Sequence, residues 1–184
     1  MLRRTTRRLC TTFVTKNEEE TERLGAKFAN WFLRNDKGNT RILCLNGDVG
    51  SGKSVFCRGF VRQIIGKDED VPSPTYLLVN EYAKNETKVL HADLYRLSEG
   101  SNFDVLGIPF LGGQSQRNLC LIEWPERLGR DRKIRSRLDM FFEHDASYDP
   151  CSADSTEQTR MIRVDTTSNA SSNWRRELVD QIVI

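Results

Sequence analysis

The stretch GDVGSGKS at residues 47–54 decides the fold of this chain, because it joins a glycine-rich turn to a lysine and a hydroxyl side chain. The apolar run ILCL at residues 42–45 precedes it, as expected of a strand buried on both faces. After it, apolar side chains recur with helical period as far as Gly66. Strand, glycine-rich loop and helix, in this order, are the context that a P-loop requires. The pattern predicts an α/β, single-domain P-loop NTPase fold, with a mixed central sheet flanked by helices.

The chemistry of such a loop follows from its residue types. Glycines let the backbone turn sharply, so that successive N–H groups and a helix N-terminus point at phosphate oxygens. Lys53 adds a cation at the β- and γ-phosphates, and the Ser54 hydroxyl is placed to ligate magnesium. The alternative, a chance glycine turn, is disfavoured by the flanking strand and helix. We therefore predict binding of a nucleoside triphosphate with Mg²⁺, and ATP in preference to GTP because no Asn-Lys-x-Asp tetrad is present.

A magnesium site also needs an acidic side chain, which P-loop proteins commonly supply from the end of a buried strand. Glu123 directly follows the apolar run LCLI at residues 119–122 and is the first candidate. Asp93, at the end of the preceding strand-like stretch, is the second candidate. Each of them could instead be an ordinary surface carboxylate.

Three further features have two interpretations each. The segment SPTY at residues 73–76 lies where many NTPases carry a loop that senses the γ-phosphate, so Thr75 could complete the magnesium shell or position water. The same segment could be a proline turn that enters a strand. Trp124 belongs either to the core or to the border of the nucleotide cleft. Arg96 either supplies charge to the transition state or pairs with an acid.

Composition restricts the class of protein. The 184 residues, 38% hydrophobic and 29% charged, suit one globular domain, and no apolar run approaches the roughly 20 residues of a membrane-spanning helix. The net charge of +2 is unevenly distributed, since residues 1–17 carry five basic side chains and no acidic one. The rest of the chain is therefore mildly acidic. This distribution does not predict strong direct nucleic-acid binding, and the lack of a long apolar run means that no membrane span is predicted.

The basic N-terminus sets the predicted domain boundaries. Residues 1–12 form an extension, either a mitochondrial targeting segment or a short disordered tail, and residues 13–184 form the P-loop domain. Five cysteines without CxxC spacing, and no secretory signal, favour a reducing compartment. We expect the cytoplasm, with the mitochondrial matrix as the alternative. Because the chain has only two histidines, a structural zinc site is not predicted.

Local patterns in the first half predict further elements. The spacing of Thr15 and Glu18 is that of a capping box, which would begin an amphipathic helix that ends at the turn residues 35–39. Two β-like stretches, at residues 76–82 and 88–94, predict a hairpin.

In the second half, residues 138–142 and 161–164 predict two more strands. The segment between them, about 144–159, is rich in Ser and Asp and predicts an exposed, flexible insertion. Short helices are expected at residues 102–106 and 174–182.

Four motifs together resemble one family. The P-loop, SPTY at 73–76, HADLYR at 91–96 and IEWPERL at 122–128 are similar in order and spacing to the TsaE proteins, formerly YjeE. The resemblance covers roughly residues 13–143, with a weaker match to the C-terminus. The P-loop by itself would not be specific for this family.

The resemblance implies a protein that binds and slowly hydrolyses ATP in tRNA modification. Such proteins act with a TsaD–TsaB pair, which transfers threonylcarbamoyl to N6 of adenosine 37 in ANN-decoding tRNAs. The TsaE protein does not itself carry out the transfer, and its ATPase is held to reset the complex between turnovers.

The resemblance also implies roles for single residues. It assigns Ser54 and Glu123 to the magnesium, and Asp93 and Thr75 to hydrolysis together with Glu123 and Lys53. Trp124 would flank the site. The residues that would hold the nucleotide phosphates are Gly50, Ser51, Gly52, Lys53, Ser54 and Val55. Where the family often has Thr, Ser54 keeps the hydroxyl group.

Two other classes of function remain open from the sequence. The first is a small-molecule or nucleoside kinase that uses the same P-loop, although the chain has no clear Arg-rich lid or acceptor pocket. The second is a nucleotide-dependent binding switch with negligible turnover.

Overall fold

A mixed seven-stranded β-sheet connects the parts of the chain that the structure describes. The structure is a computed structural model and describes residues 10–34, 42–101, 117–128, 137–144, 159–166 and 182. In chain order, its strands are β1 Cys10–Thr15, β2 Ile42–Asn46, β3 Val79–Lys84, β4 Thr87–Asp93, β5 Arg117–Glu123, β6 Leu138–His144 and β7 Arg160–Thr166. The helices described over their whole length are α1 Glu18–Arg34 and α2 Lys53–Ile65, one 3-10 turn follows β5 at Pro125–Arg127, and Ile182 is a single described residue in helical conformation.

The strand order places the motif-bearing elements in the middle of the sheet. The order is β1-β7-β6-β2-β5-β4-β3, in which β2 is parallel to both β5 and β6, and β4 is parallel to β5. The outer pairs β3–β4, β6–β7 and β1–β7 are antiparallel. Since parallel neighbours share their carboxyl ends, the loop after β2 meets the last residues of β4 and β5 at one edge of the sheet. The predicted α/β fold with a mixed sheet is confirmed.

Both described helices contribute to one apolar core against the sheet. The rings of Phe28 and Phe56 make an edge-on contact at 5.4 Å, and Phe142 of β6 adds a second one to Phe56 at 5.7 Å. Close approach of the helices depends on Gly25, where a Cβ atom would lie 2.2 Å from the Phe56 carbonyl oxygen. The other face of the sheet carries a smaller cluster around Leu94. The start of α2, and with it the P-loop, is therefore held firmly on the sheet.

The first strand was not predicted. β1 pairs with β7 over Cys10–Thr15, so the sheet begins inside the segment 1–12 that was assigned to an N-terminal extension. Residues 1–9 lie outside the described part of the chain. The strand escaped prediction because three of its six side chains are Thr and it directly follows the basic residues, so it looked like a continuation of the basic segment.

The predicted capping box at the start of α1 is wrong in its position. Thr15 lies in β1, and Glu18 is the first residue of the helix. Asn17 takes the capping role, since its Oδ1 accepts a hydrogen bond from the Glu20 N–H at 2.9 Å. The Glu20 carboxylate in turn accepts one from the Lys16 N–H at 2.8 Å. A cap of similar form therefore lies two residues further along the chain, although Glu20 bonds the N–H of Lys16 and not that of the cap residue Asn17, as a strict capping box would.

The predicted hairpin is confirmed with shifted strand bounds. β3 pairs over its whole length with residues 87–92 of β4, and a two-residue turn joins the two strands. Asn85 in this turn has a φ of 53°, a left-handed conformation that asparagine tolerates. Residues 76–78 form a turn instead of strand, because the Pro74 carbonyl accepts a hydrogen bond from the Leu78 N–H at 2.7 Å.

The remaining predictions divide into those that the structure confirms and those that lie outside its described residues. The strands at 138–142 and 161–164 are confirmed as the antiparallel pair β6 and β7. The expectations for residues 35–39 and 102–106, and most of those for 144–159 and 174–182, fall outside the described residues. Among the helices that are described, none is long and apolar enough to cross a membrane.

Candidate nucleotide-binding site

The loop between β2 and α2 has a backbone suited to binding an anion. Gly47, Gly50 and Gly52 have φ angles of 141°, 80° and 100°, which side-chain-bearing residues rarely adopt. α2 begins at Lys53 without a side-chain cap and without an acidic residue in its first turn. Its first N–H groups are therefore available to an anion, which the helix dipole also favours.

Ser51 makes an independent case for a ligand at this loop. Its side chain is 1% exposed, and within the described residues its hydroxyl has no hydrogen-bond partner. A buried polar group without a partner costs about 1–3 kcal/mol, which a phosphate oxygen in the loop would recover. Val55, also predicted to contact the nucleotide, is half-buried in the first turn of α2.

Lys53 is folded back over the loop. Its ammonium group donates hydrogen bonds to the carbonyl oxygens of Gly47 and Asp48, each at 2.7 Å, and lies 4.2 Å from the centre of the Trp124 ring. Burial lowers the pKa of Lys53, and nearby acidic side chains, Glu123 first among them, partly oppose this shift. The lysine is thus kept beside the loop, where a cation can meet a bound anion.

Ser54 and Glu123, far apart in sequence, meet at the base of the loop. The Ser54 hydroxyl donates to Glu123 Oε2 at 3.1 Å. Glu123 is 2% exposed, because β5 ends between β2 and β4 in the middle of the sheet. Hydroxyl and carboxylate oxygens are the ligands that Mg²⁺ prefers. The two residues predicted as a magnesium site are therefore brought together.

Two buried residues next to Glu123 were not identified from the sequence. His91 Nε2 donates to Glu123 Oε1 at 2.8 Å, and the His91 side chain is fully buried. The Cys57 thiol completes the cluster, and burial, assisted by the Glu123 charge, raises its pKa well above the usual value. A signal for His91 was available, since it lies two residues before Asp93 in β4 and so shares its face of the strand.

Asp93 has a separate set of partners, in the segment between α2 and β3. Its Oδ2 accepts hydrogen bonds from the Thr75 hydroxyl at 2.5 Å and from the Ser73 hydroxyl at 2.9 Å. Its other oxygen accepts one from the Tyr95 N–H at 2.9 Å. In the sheet register, Asp93 lies opposite Glu123. The structure therefore brings Thr75 and Asp93, both predicted to serve hydrolysis, into direct contact.

Trp124 lies beside the loop and also packs, partly buried, against the smaller apolar cluster around Leu94. Its φ of 58° turns the chain sharply after β5, and its N–H donates to the Leu45 carbonyl oxygen at 3.2 Å. The indole packs 5.0 Å from the Tyr95 ring and also covers the Lys53 ammonium group. Arg96, left open by the sequence, is exposed and stacks 5.0 Å from the Tyr76 ring centre.

Arg160 is a buried cation beside the P-loop that the sequence analysis missed. It begins β7, its side chain is 1% exposed, and a Cβ atom at Gly52 would lie 2.8 Å from its Nε atom. Only glycine at this loop position leaves room for the arginine. Sequence reasoning did not find Arg160, because no motif surrounds it and tertiary packing alone brings it to the loop.

These features define the class of protein. A parallel strand pair, a loop with left-handed glycines, an uncapped helix and a buried lysine are characteristic of P-loop nucleotide-binding proteins. The fold agrees with a crystal structure of Bacillus subtilis YdiB, with a TM-score of 0.63, 22% sequence identity and 97% of each chain covered.

Comparison with known families identifies the family to which the chain belongs within this class. The family model described as threonylcarbamoyl adenosine biosynthesis protein TsaE matches residues 15–150. The TsaE protein of Rickettsia felis is 38% identical over 114 residues, which are 61% of either chain. That of Haemophilus influenzae is 40% identical over 106 residues, 57% of this chain and 65% of its own. The chain therefore belongs to the TsaE family, and the resemblance found in its motifs is confirmed.

A more distant relative shows the same extent of similarity. The tRNA threonylcarbamoyladenosine biosynthesis protein TsaE of Bacillus subtilis is 33% identical over 111 residues, which cover 60% of this chain and 63% of that protein. The chain thus spans about three fifths of the length of the curated relatives it matches.

Proposed function

We propose that this chain binds ATP with Mg²⁺ and hydrolyses it slowly, as an accessory protein of threonylcarbamoylation at adenosine 37 of ANN-decoding tRNAs. The observation that carries the ATPase part is the contact between Ser54 and Glu123 at the base of an uncapped helix N-terminus. Membership of the TsaE family supports the pathway.

The residues present fit a magnesium–phosphate ligand. The backbone from Gly50 to Val55 and the Ser51 hydroxyl would bind phosphate oxygens, and Lys53 would exchange its two carbonyl partners for them. Ser54 and Glu123 would hold Mg²⁺, which when bound screens the phosphate charge.

Hydrolysis requires that a water be held and a proton accepted. Thr75 and Asp93 are suited to these tasks, because a hydroxyl and a carboxylate lie 2.5 Å apart at the same edge of the sheet as Glu123. Asp93 accepts the proton in this assignment, and Thr75 orients the water. Trp124 flanks the site and shields Lys53 from solvent.

The partners in this proposal are TsaD- and TsaB-type proteins. A bound nucleotide would act on their reaction cycle, and we expect no strong binding of tRNA by this chain alone. We place the protein in the cytoplasm, or in the mitochondrial matrix if the basic residues that precede β1 direct it there.

The deciding experiment measures phosphate release from ATP by the purified chain, alone and with a TsaD–TsaB pair from the same source. We expect slow release alone and faster release with the pair, and Lys53→Ala should abolish tight nucleotide binding in both. Transfer of phosphate to a small acceptor, with no response to the pair, would identify a kinase instead. Tight binding without release in either mixture would identify a switch.

A further inference from the structure

Three potential metal ligands of different chemistry converge next to the magnesium ligand pair. Cys57 of α2, His91 of β4 and Glu123 of β5 are all buried, and one ligand atom from each lies within 4.8 Å of the others. No sequence motif indicates this cluster, since the three residues are 34 and 32 positions apart.

The donor set is that of zinc and not of magnesium. Zn²⁺ binds thiolate, imidazole and carboxylate ligands, whereas Mg²⁺ favours oxygen ligands in an octahedral arrangement. A cysteine sulfur and a histidine nitrogen therefore distinguish this cluster from the adjacent Ser54–Glu123 pair, which offers oxygen only. We propose that Cys57, His91 and Glu123 form a second divalent-cation site, which takes Zn²⁺ and competes with Mg²⁺ for Glu123.

The distances allow such a site with small side-chain movements. With Zn–S and Zn–N bonds of about 2.3 and 2.0 Å, tetrahedral ligands stand about 3.5 Å apart. His91 Nε2 and Glu123 Oε1 are closer than this, at 2.8 Å, and share a hydrogen bond that the ion would replace. The remaining contacts, within 4.8 Å, would shorten by about 1 Å. Binding releases the thiol proton of Cys57 to solvent, and the proton that His91 carries on Nε2 passes to Nδ1, which has no hydrogen-bond partner among the described residues.

The shared carboxylate makes the two cations antagonistic. Glu123 directs Oε1 to His91 and Oε2 to Ser54, so its two oxygens face the two sites. Two divalent ions a few ångströms apart repel strongly in a buried setting, and one carboxylate offsets only part of this repulsion. Zn²⁺ in the cluster would therefore weaken magnesium-dependent nucleotide binding. This second half of the proposal rests on the proposed function.

The first test uses metal alone and no nucleotide, so it does not depend on ATP binding or hydrolysis. Metal-free full-length protein is titrated with Co²⁺, whose thiolate complexes give a near-ultraviolet charge-transfer band, and with Zn²⁺ by calorimetry. We expect one ion per chain with the band present. Cys57→Ser should abolish the band and weaken Zn²⁺ binding by at least about tenfold. Cys120→Ser is the matched control, since Cys120 is also buried but lies outside the cluster.

Two outcomes would overturn the site: no stoichiometric binding by the wild-type chain, or a band that persists in Cys57→Ser. His91→Gln gives a second variant if Cys57→Ser does not fold, and circular dichroism checks the fold of each.

The second test measures the Mg²⁺ concentration needed for binding a fluorescent ATP analogue, with and without Zn²⁺. We expect Zn²⁺ to raise the required Mg²⁺ concentration about tenfold in the wild type and in Cys120→Ser. An unchanged Mg²⁺ requirement would rule out competition between the two cations, but it would not contradict Zn²⁺ binding at the cluster.

Discussion

Glu123 and Asp93 end neighbouring parallel strands and lie opposite each other in the register, yet they are held in different ways. Glu123 is bound by side chains of regular elements, Ser54 of α2 and His91 of β4. Asp93 is bound instead by hydroxyl groups of residues 73–75, a segment that belongs to no helix or strand.

The difference separates a fixed acid from an acid whose surroundings can change. The partners of Glu123 lie in packed secondary structure, so its position is determined by the fold itself. The partners of Asp93 lie in a loop, where local conformational change costs least. We infer that Glu123 serves the metal in every state, whereas the Asp93 cluster responds to the nucleotide.

Replacing Glu123 should have the largest effect. Glu123→Gln keeps the size of the side chain and a hydrogen-bond acceptor, but removes the charge that a metal needs. We expect ATP hydrolysis to fall about 10³-fold and magnesium to lose its influence on nucleotide binding. Phosphate release and nucleotide titrations with and without Mg²⁺ measure the two effects.

The matched control is Glu99→Gln, because Glu99 is a highly exposed acid far from the loop in sequence. It should leave both quantities unchanged. If Glu123→Gln keeps the magnesium dependence of the wild type, the assignment of Glu123 to the metal is wrong.

Replacing Asp93 should separate chemistry from binding. Asp93→Asn can still accept a hydrogen bond from Thr75, but it is a very weak proton acceptor. We expect hydrolysis to fall about 10²-fold, with magnesium–nucleotide affinity within about threefold of the wild type. The exposed Asp68, changed to Asn, is the control and should behave as the wild type. An equal loss of affinity and rate in Asp93→Asn would contradict the contrast with Glu123.

The two hydroxyl groups on Asp93 should differ in their effects. Thr75→Val preserves the shape of the side chain and removes the donor at 2.5 Å. A hydrogen bond to a charged group contributes about 1.5–3 kcal/mol, so a loss of about tenfold or more in phosphate release is expected. Ser73→Ala removes the longer bond, at 2.9 Å, and should cost less. The reverse order would transfer the water-positioning role from Thr75 to Ser73.

The site could be predicted from sequence wherever its residues form contiguous motifs or end buried strands. The P-loop is contiguous, and the parallel arrangement of β2, β4 and β5 brings their ends to one edge, which is why Glu123 and Asp93 were found. The sheet and its hairpin followed from apolar runs and turn residues. The sequence left two positions open for Trp124, and its indole both contacts Lys53 and packs against the smaller apolar cluster.

The parts that escaped prediction depend on packing between distant segments. Arg160 reaches the loop only because β7 folds back beside β6, and no local pattern records this. His91 and Cys57 look like ordinary buried residues until α2 and β4 are placed side by side. The cap of α1 was assigned to Thr15 because Thr15 and Glu18 have the spacing of a capping box, but Asn17 and Glu20 have the same spacing, and the strand pairing of Thr15 decides between them.

The smallest effect should appear in the protection of backbone amides against hydrogen exchange. Measuring it near each of the two acids compares them directly. Amide hydrogen exchange is measured without nucleotide and with a non-hydrolysable ATP analogue and Mg²⁺. The amides of residues 119–123 should be well protected in both states, since β5 is paired on both sides. The amides of residues 75–78 should gain protection of about tenfold or more with the analogue, because a loop that binds the nucleotide through Thr75 opens less often. Equal protection of residues 75–78 in both states would show that the Asp93 cluster is as fixed as the Glu123 cluster, and the response to nucleotide would then have to lie elsewhere.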